Sequence, residues 1–132
     1  MTSDDKARLQ LDDLRRVLDQ WGDALLDADS DHRARDSAIL RFELAYEVAW
    51  RLARTLSQAH GLTADSPRAA FSNAFRLGWT TQESIWIDVI RARNEAVLVY
   101  HEDLARRLVS ALPGYLAAFR GLAASVASEL GV

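Results

Sequence analysis

The chain has 132 residues, 49% of them hydrophobic and 27% charged, enough for one core and one domain spanning 1–132. With no Cys, disulfides and thiolate metal sites are excluded. A net charge of −3 excludes the global basic field of many nucleic-acid binders. The polar start MTSDDKARLQ does not read as a signal peptide, and no window reads as a membrane span, so a cytoplasmic protein is expected. Fifteen of the sixteen basic residues are Arg, a bias spread along the whole chain and best read as base composition.

The elements all read as helix. Over residues 4–28, Leu11, Leu14, Leu18, Trp21 and Leu25 recur at spacings of three and four, one apolar stripe with charges opposite. DADSDHRARD breaks that pattern and offers Ser30 or Asp31 as the next N-cap. Residues 31–59 carry two stripes, Ile39, Phe42, Tyr46, Trp50 and Ala53 on one side and Leu40, Leu44, Val48 and Leu52 on another. A helix apolar on two sides is buried on two sides, as a central helix or at a subunit interface. Gly61 suits its termination. Ser66-Pro67 reads as N-cap and first helical residue of a short helix that reaches Leu77 and stops at Gly78. Thr80 and Glu83 match a capping box, so a fourth helix is expected from about Thr81, with Ile85, Trp86, Val89, Ile90 and Val97 on its apolar side. A last run from Glu102 to Leu130 carries Leu104, Leu108, Leu112, Tyr115, Leu116, Phe119 and Leu122 and should kink or divide at Pro113. The expected fold is an all-α, antiparallel bundle of four long helices plus one short one.

Residues that could carry chemistry are few. His32 and His60 have no second ligand at metal spacing, so no metal site is expected. Glu43 and Glu47 lie four apart on one helix face but lack the Glu-x-x-His partners of a di-metal bundle; pairing with Arg51, Arg54 or an Arg of helix four is the simpler reading. No phosphate-cradling Gly loop or Ser nucleophile motif is present, and nothing implies a cofactor. RNEAVLVYHED, residues 93–103, remains. Arg93 and Tyr100 are seven apart and share a face if the helix persists. An Arg fork binds phosphate, and with His101 as acid/base it would suffice for metal-free RNA cleavage; a structural polar cluster explains the same residues.

RDSAILRFELAYEVAWR (35–51), SPRAAFSNAFRLGW (66–79), Trp86 and RNEAVLVY (93–100) resemble the HEPN-type family of nucleotidyltransferase substrate-binding proteins, over roughly residues 10–125. The resemblance implies a helical bundle that forms homodimers, with two Arg-containing motifs facing each other across a cleft. It also implies a minimal nucleotidyltransferase as partner. Many members are toxins of toxin–antitoxin pairs that cut RNA without metal, and in some pairs the partner, as antitoxin, transfers AMP from ATP to the motif's Tyr. The family motif is Arg, four residues, His, one residue, Tyr, usually with Asn after the Arg. Arg93, Asn94 and Tyr100 fall on it, but its His position is Leu98, which has no proton to move. His101 lies three residues further on, either a substitute acid/base or the cap of the next helix, whose acidic first turn would be Glu102-Asp103. Three readings follow. The chain is a dimeric partner of a nucleotidyltransferase, adenylylated on Tyr100 and with a degenerate ribonuclease motif. It is an active ribonuclease toxin using Arg93, Asn94 and His101. Or it is a structural adaptor whose cleft is vestigial.

Overall fold

The computed structural model describes residues 1–98 and 101–132. Five α-helices account for most of them: α1 (Ser3–Leu26), α2 (His32–Ala59), α3 (Pro67–Arg76), α4 (Glu83–Glu95) and α5 (Glu102–Leu130), with a 3-10 turn at Ala96–Leu98. The helical bundle matches the sequence reading in class. Its proportions differ: α4 has 13 residues and α3 has 10, so the bundle is three long helices with two short ones.

The caps explain most of the boundaries. Asp31, not Ser30, caps α2, its Oδ1 accepting from the Ala34 N–H at 2.8 Å, while the Ser30 hydroxyl donates back to the Asp27 carbonyl. Ser66 Oγ accepts from the Ala69 N–H at 3.1 Å ahead of Pro67, as the sequence indicates. Gly61 and Gly78 take φ of 77° and 82°, the left-handed turns that end α2 and α3. Thr2 and Asp5 form a reciprocal capping box at α1. The box expected at Thr80 and Glu83 does not form. Helix α4 begins at Glu83 with Gln82 as N-cap and no side-chain cap, because Trp79 and Thr80 are drawn into the interior instead.

Pro113 does not divide α5, which runs unbroken through it. The ring removes one helical donor, but Pro113 is exposed while Leu112, Leu116 and Phe119 around it are buried, so burial on both sides of the defect holds the helix together. This helix also corrects the reading that no segment reaches a membrane span: by length and composition alone α5 does, through an 18-residue window with a mean hydropathy of 1.2. Its apolar residues Leu112, Leu116, Phe119, Leu122 and Val126 are spent on the bundle core.

Contacts set the directions. Arg41 donates to Gln20 across the short α1–α2 connection, so those helices are antiparallel. Arg8 donates to the Leu130 carbonyl and Trp21 meets Phe119, so α1 and α5 are antiparallel as well. Helices α2 and α5 therefore run parallel, with Arg35 beside Glu102 at one end and His60 beside Glu129 at the other. The purely antiparallel bundle is thus corrected: α3 and α4 carry the chain back to the start of α2 before α5 begins. An aromatic chain links all five helices. Trp21 contacts Phe42 and Phe119 at centroid distances of 5.6 and 5.4 Å, Phe119 contacts Trp86 at 5.0 Å, Trp86 stacks on Phe71 at 4.5 Å, and Phe71 meets Tyr46 at 5.7 Å.

Candidate functional site

Helix α4 ends in Arg93-Asn94-Glu95. Arg93 sits in its last turn, where a cation is favoured by the helix dipole. The side chain turns toward α2. Its Cζ lies 5.8 Å from the Tyr46 ring centroid, and its Nη2 is 3.9 Å from Glu47 Oε1. Glu47 Oε2 accepts from Trp50 Nε1 at 3.2 Å and stands 3.7 Å from Arg51 Nη2. The carboxylate is therefore set between two guanidinium groups, one from its own helix and one from α4, and the sequence-level pairing of Glu47 with Arg51 or an Arg of helix four holds for both. The next guanidinium, Arg54, lies over the Trp50 ring at 5.9 Å.

Arg93 is not saturated by these contacts. Its side chain is 30% exposed, and its Nε is buried with no hydrogen-bond partner among the described residues. A fork held from behind by a carboxylate and a ring, with donors to spare, can hold an anionic oxygen. Tyr46 is buried beside it. Burial raises the Tyr46 phenol above its ordinary range, the Arg93 charge pulls it down, and Glu47 pushes it up, for a net rise.

The remaining motif residues do not converge on this point. Asn94 is exposed and borders a different feature, a groove of about 240 Å³ shared with Arg68, Ile87, Ile90 and Arg91, so consecutive residues of α4 serve different flanks. The helix does not persist two turns beyond Arg93: it gives way to the 3-10 turn at Ala96, and Leu98 closes that turn 37% exposed. Val97, expected on the apolar side of α4, is instead 66% exposed in the same turn. Tyr100 lies outside the described residues. His101 occupies the N-cap position of α5, as one of its two readings held. It does so through its backbone: its N–H donates to the Leu98 carbonyl, its carbonyl accepts from the Ala105 N–H, and its imidazole makes no capping hydrogen bond. Glu102 and Asp103 supply the acidic first turn. No group of His, Asp and Glu among the described residues could hold a metal ion.

The Arg93 cluster adjoins exposed apolar surface. Leu40 and Leu44 lie on α2 two turns and one turn before Glu47 and are 53% and 39% exposed, so the second stripe of α2 is covered only at Leu52 and partly at Val48. Of the neighbours that hold Arg93, Glu47 was legible in the sequence as a partner for some Arg of helix four, while Tyr46 was legible only as a core aromatic; the spacing did not single out Arg93.

Comparison with known proteins bears on the family and the fold. Residues 6–128 match the model of a family described as nucleotidyltransferase substrate binding protein like. A solved protein of Thermus thermophilus superposes with a TM-score of 0.76 at 27% identity, covering 89% of this chain and 98% of that one. No curated protein matches.

Proposed function

The chain belongs to the nucleotidyltransferase substrate binding protein like family, and from that membership we propose that it is the dimeric helical partner of a minimal nucleotidyltransferase in a two-gene, toxin–antitoxin-type system of the cytoplasm. The observation that carries the reading is Arg93, held by Glu47 and Tyr46 with donors left over, in a motif whose acid/base position is Leu98. The cation that would grip a phosphate is in place, while the proton-transfer group that RNA cleavage needs is replaced by a hydrocarbon. Tyr100 is then the acceptor. Its phenol oxygen attacks the α-phosphorus of ATP supplied by the partner, pyrophosphate leaves, the phenolic proton passes to solvent, and the new phosphodiester adds negative charge to the motif that carries Arg93. The exposed Leu40 and Leu44 beside Glu47 support a second copy as their cover.

Co-expression with a nucleotidyltransferase encoded next to it should give a co-eluting complex. Incubation of that complex with ATP and Mg²⁺ should raise the intact mass of this chain by one or more AMP groups, and Tyr100→Phe should abolish the gain. Absence of both complex and mass gain would sink the proposal. The degenerate motif has its own test. Expression of the Leu98→His variant should arrest growth where the native chain does not, and adding Arg93→Ala should relieve the arrest. Arrest by the native chain, relieved by His101→Ala, would instead establish the active ribonuclease.

A further inference from the structure

A transferase that modifies the Arg93 motif must seat beside it, and α4 gives that motif two flanks. On the α2 side stand Arg93 itself and, beyond Glu47, the exposed Leu40 and Leu44. On the α3 side, Asn94 borders the groove of about 240 Å³ that also takes in Arg68, Ile87, Ile90 and Arg91. The α4 wall of this groove follows from spacing, since residues 87, 90, 91 and 94 recur at three and four and share one face. The α3 wall is fixed by the core: Phe71 and Trp86, both buried, stack at 4.5 Å and tie the two helices together. Arg68, Ile87 and Ile90 also line a notch of about 60 Å³ that carries the groove on to Glu83. The groove therefore follows α4 from its first turn to its last.

Charge and exposed hydrocarbon together select the occupant. Arg68 makes no hydrogen bond or ion pair among the described residues. Arg91 meets only Asp88, at 3.8 Å with both side chains more than half exposed, a pair that solvent screens. No carboxylate lines the wide part of the groove, and Glu83 borders only the notch. Two forks that accept bidentate oxyanions are thus available to a visitor. Ile87, 42% exposed, adds branched hydrocarbon to the same surface. An RNA strand would use the cations, but no aromatic side chain lines the wide part for a base to stack on. Arginines set around apolar side chains are instead the makeup of a protein interface. We propose that the nucleotidyltransferase docks in this α3–α4 groove, through a segment that presents an apolar side chain to Ile87 and Ile90 and carboxylates to Arg68 and Arg91. The identity of the partner rests on the proposed function, and the α2 stripe is left to the second copy.

The test is the affinity of the full chain for the nucleotidyltransferase encoded next to it, measured by calorimetry without ATP. The double reversal Arg68→Glu, Arg91→Glu should weaken the complex at least about tenfold. Added NaCl should weaken the native complex more steeply than the complex of that variant. Ile87→Ser, which leaves every charge in place, should weaken binding about three- to tenfold. Arg15→Glu, a like reversal on the exposed surface of α1, should stay within about twofold of the native chain. All of these variants should keep the native circular-dichroism spectrum. A native complex that the double reversal leaves within about twofold overturns the docking site while the proposed function stands. No complex with the native chain overturns both. If the native chain binds a short oligouridylate and the double reversal abolishes that binding with the protein complex intact, the groove is a nucleic-acid surface and the proposal falls.

Discussion

Glu47 illustrates what a single residue does at this site. It meets Arg51 and Arg93 at 3.7 and 3.9 Å, yet it is 40% exposed, so solvent screens both pairs. Glu47→Gln should therefore change stability by less than about 1 kcal/mol in urea unfolding, while freeing the Arg93 fork for anions. A larger loss would mean that the carboxylate holds the bundle and not merely the fork. Its neighbour Tyr46 gives a pH prediction. The folded-state pKa lies above the ordinary 10.0, chiefly through burial, so folding favours the protonated phenol. The stability this supports is complete below the unfolded pKa and is lost as the pH climbs through the raised folded value. Tyr46→Phe should flatten the fall in denaturation midpoint above about pH 10, the unperturbed tyrosine pKa. It should do so only in part, because Tyr115 is also raised, by burial and by Asp88 and Glu95. At this scale the sequence is a partial guide. It shows that Glu47 sits one turn before Arg51, but a contact with Arg93 depends on how α4 crosses α2, which no local spacing encodes.

Helix boundaries are more legible, because capping is local chemistry. Ser66-Pro67 and Asp31 occupy the positions their side chains favour, and Asp31→Ala should cost about 1 kcal/mol in thermal or urea unfolding. Thr80 shows where local chemistry loses. A Thr three residues before a Glu is a good capping signal, but burying Trp79 to 4% exposure draws the chain inward and leaves α4 to start later without a side-chain cap. Pro113 shows the same contest won by the core: the expected break does not occur because Leu112 and Leu116 are buried on either side of it. Since the proline still removes a hydrogen bond from a helix interior, Pro113→Ala should stabilise the protein by about 1 kcal/mol or more. A lower denaturation midpoint in that variant would show that the proline itself supports α5.

Across the whole molecule, the aromatic chain from Trp21 to Tyr46 is what the five helices share. Phe119→Ala, at its centre and fully buried, should cost about 3–5 kcal/mol. The second copy proposed to cover the exposed α2 stripe has its test here: Leu44→Glu should halve the mass seen by light scattering, and a native chain that is already monomeric, or an unchanged mass in the variant, would overturn that dimer. The all-helical class follows from period alone, whereas the parallel run of α2 and α5 does not, since it depends on which faces meet across the chain. That topology bears on synthesis. Helices α1 and α2 can form a hairpin as soon as they leave the ribosome, but the second flank of α1 stays bare until the last helix is made, because Phe119 covers Trp21 and the Leu130 carbonyl receives Arg8. Until then the nascent chain presents an indole and a row of leucines to the cell, so a ribosome stalled before α5 would release a polypeptide suited to chaperones and proteases.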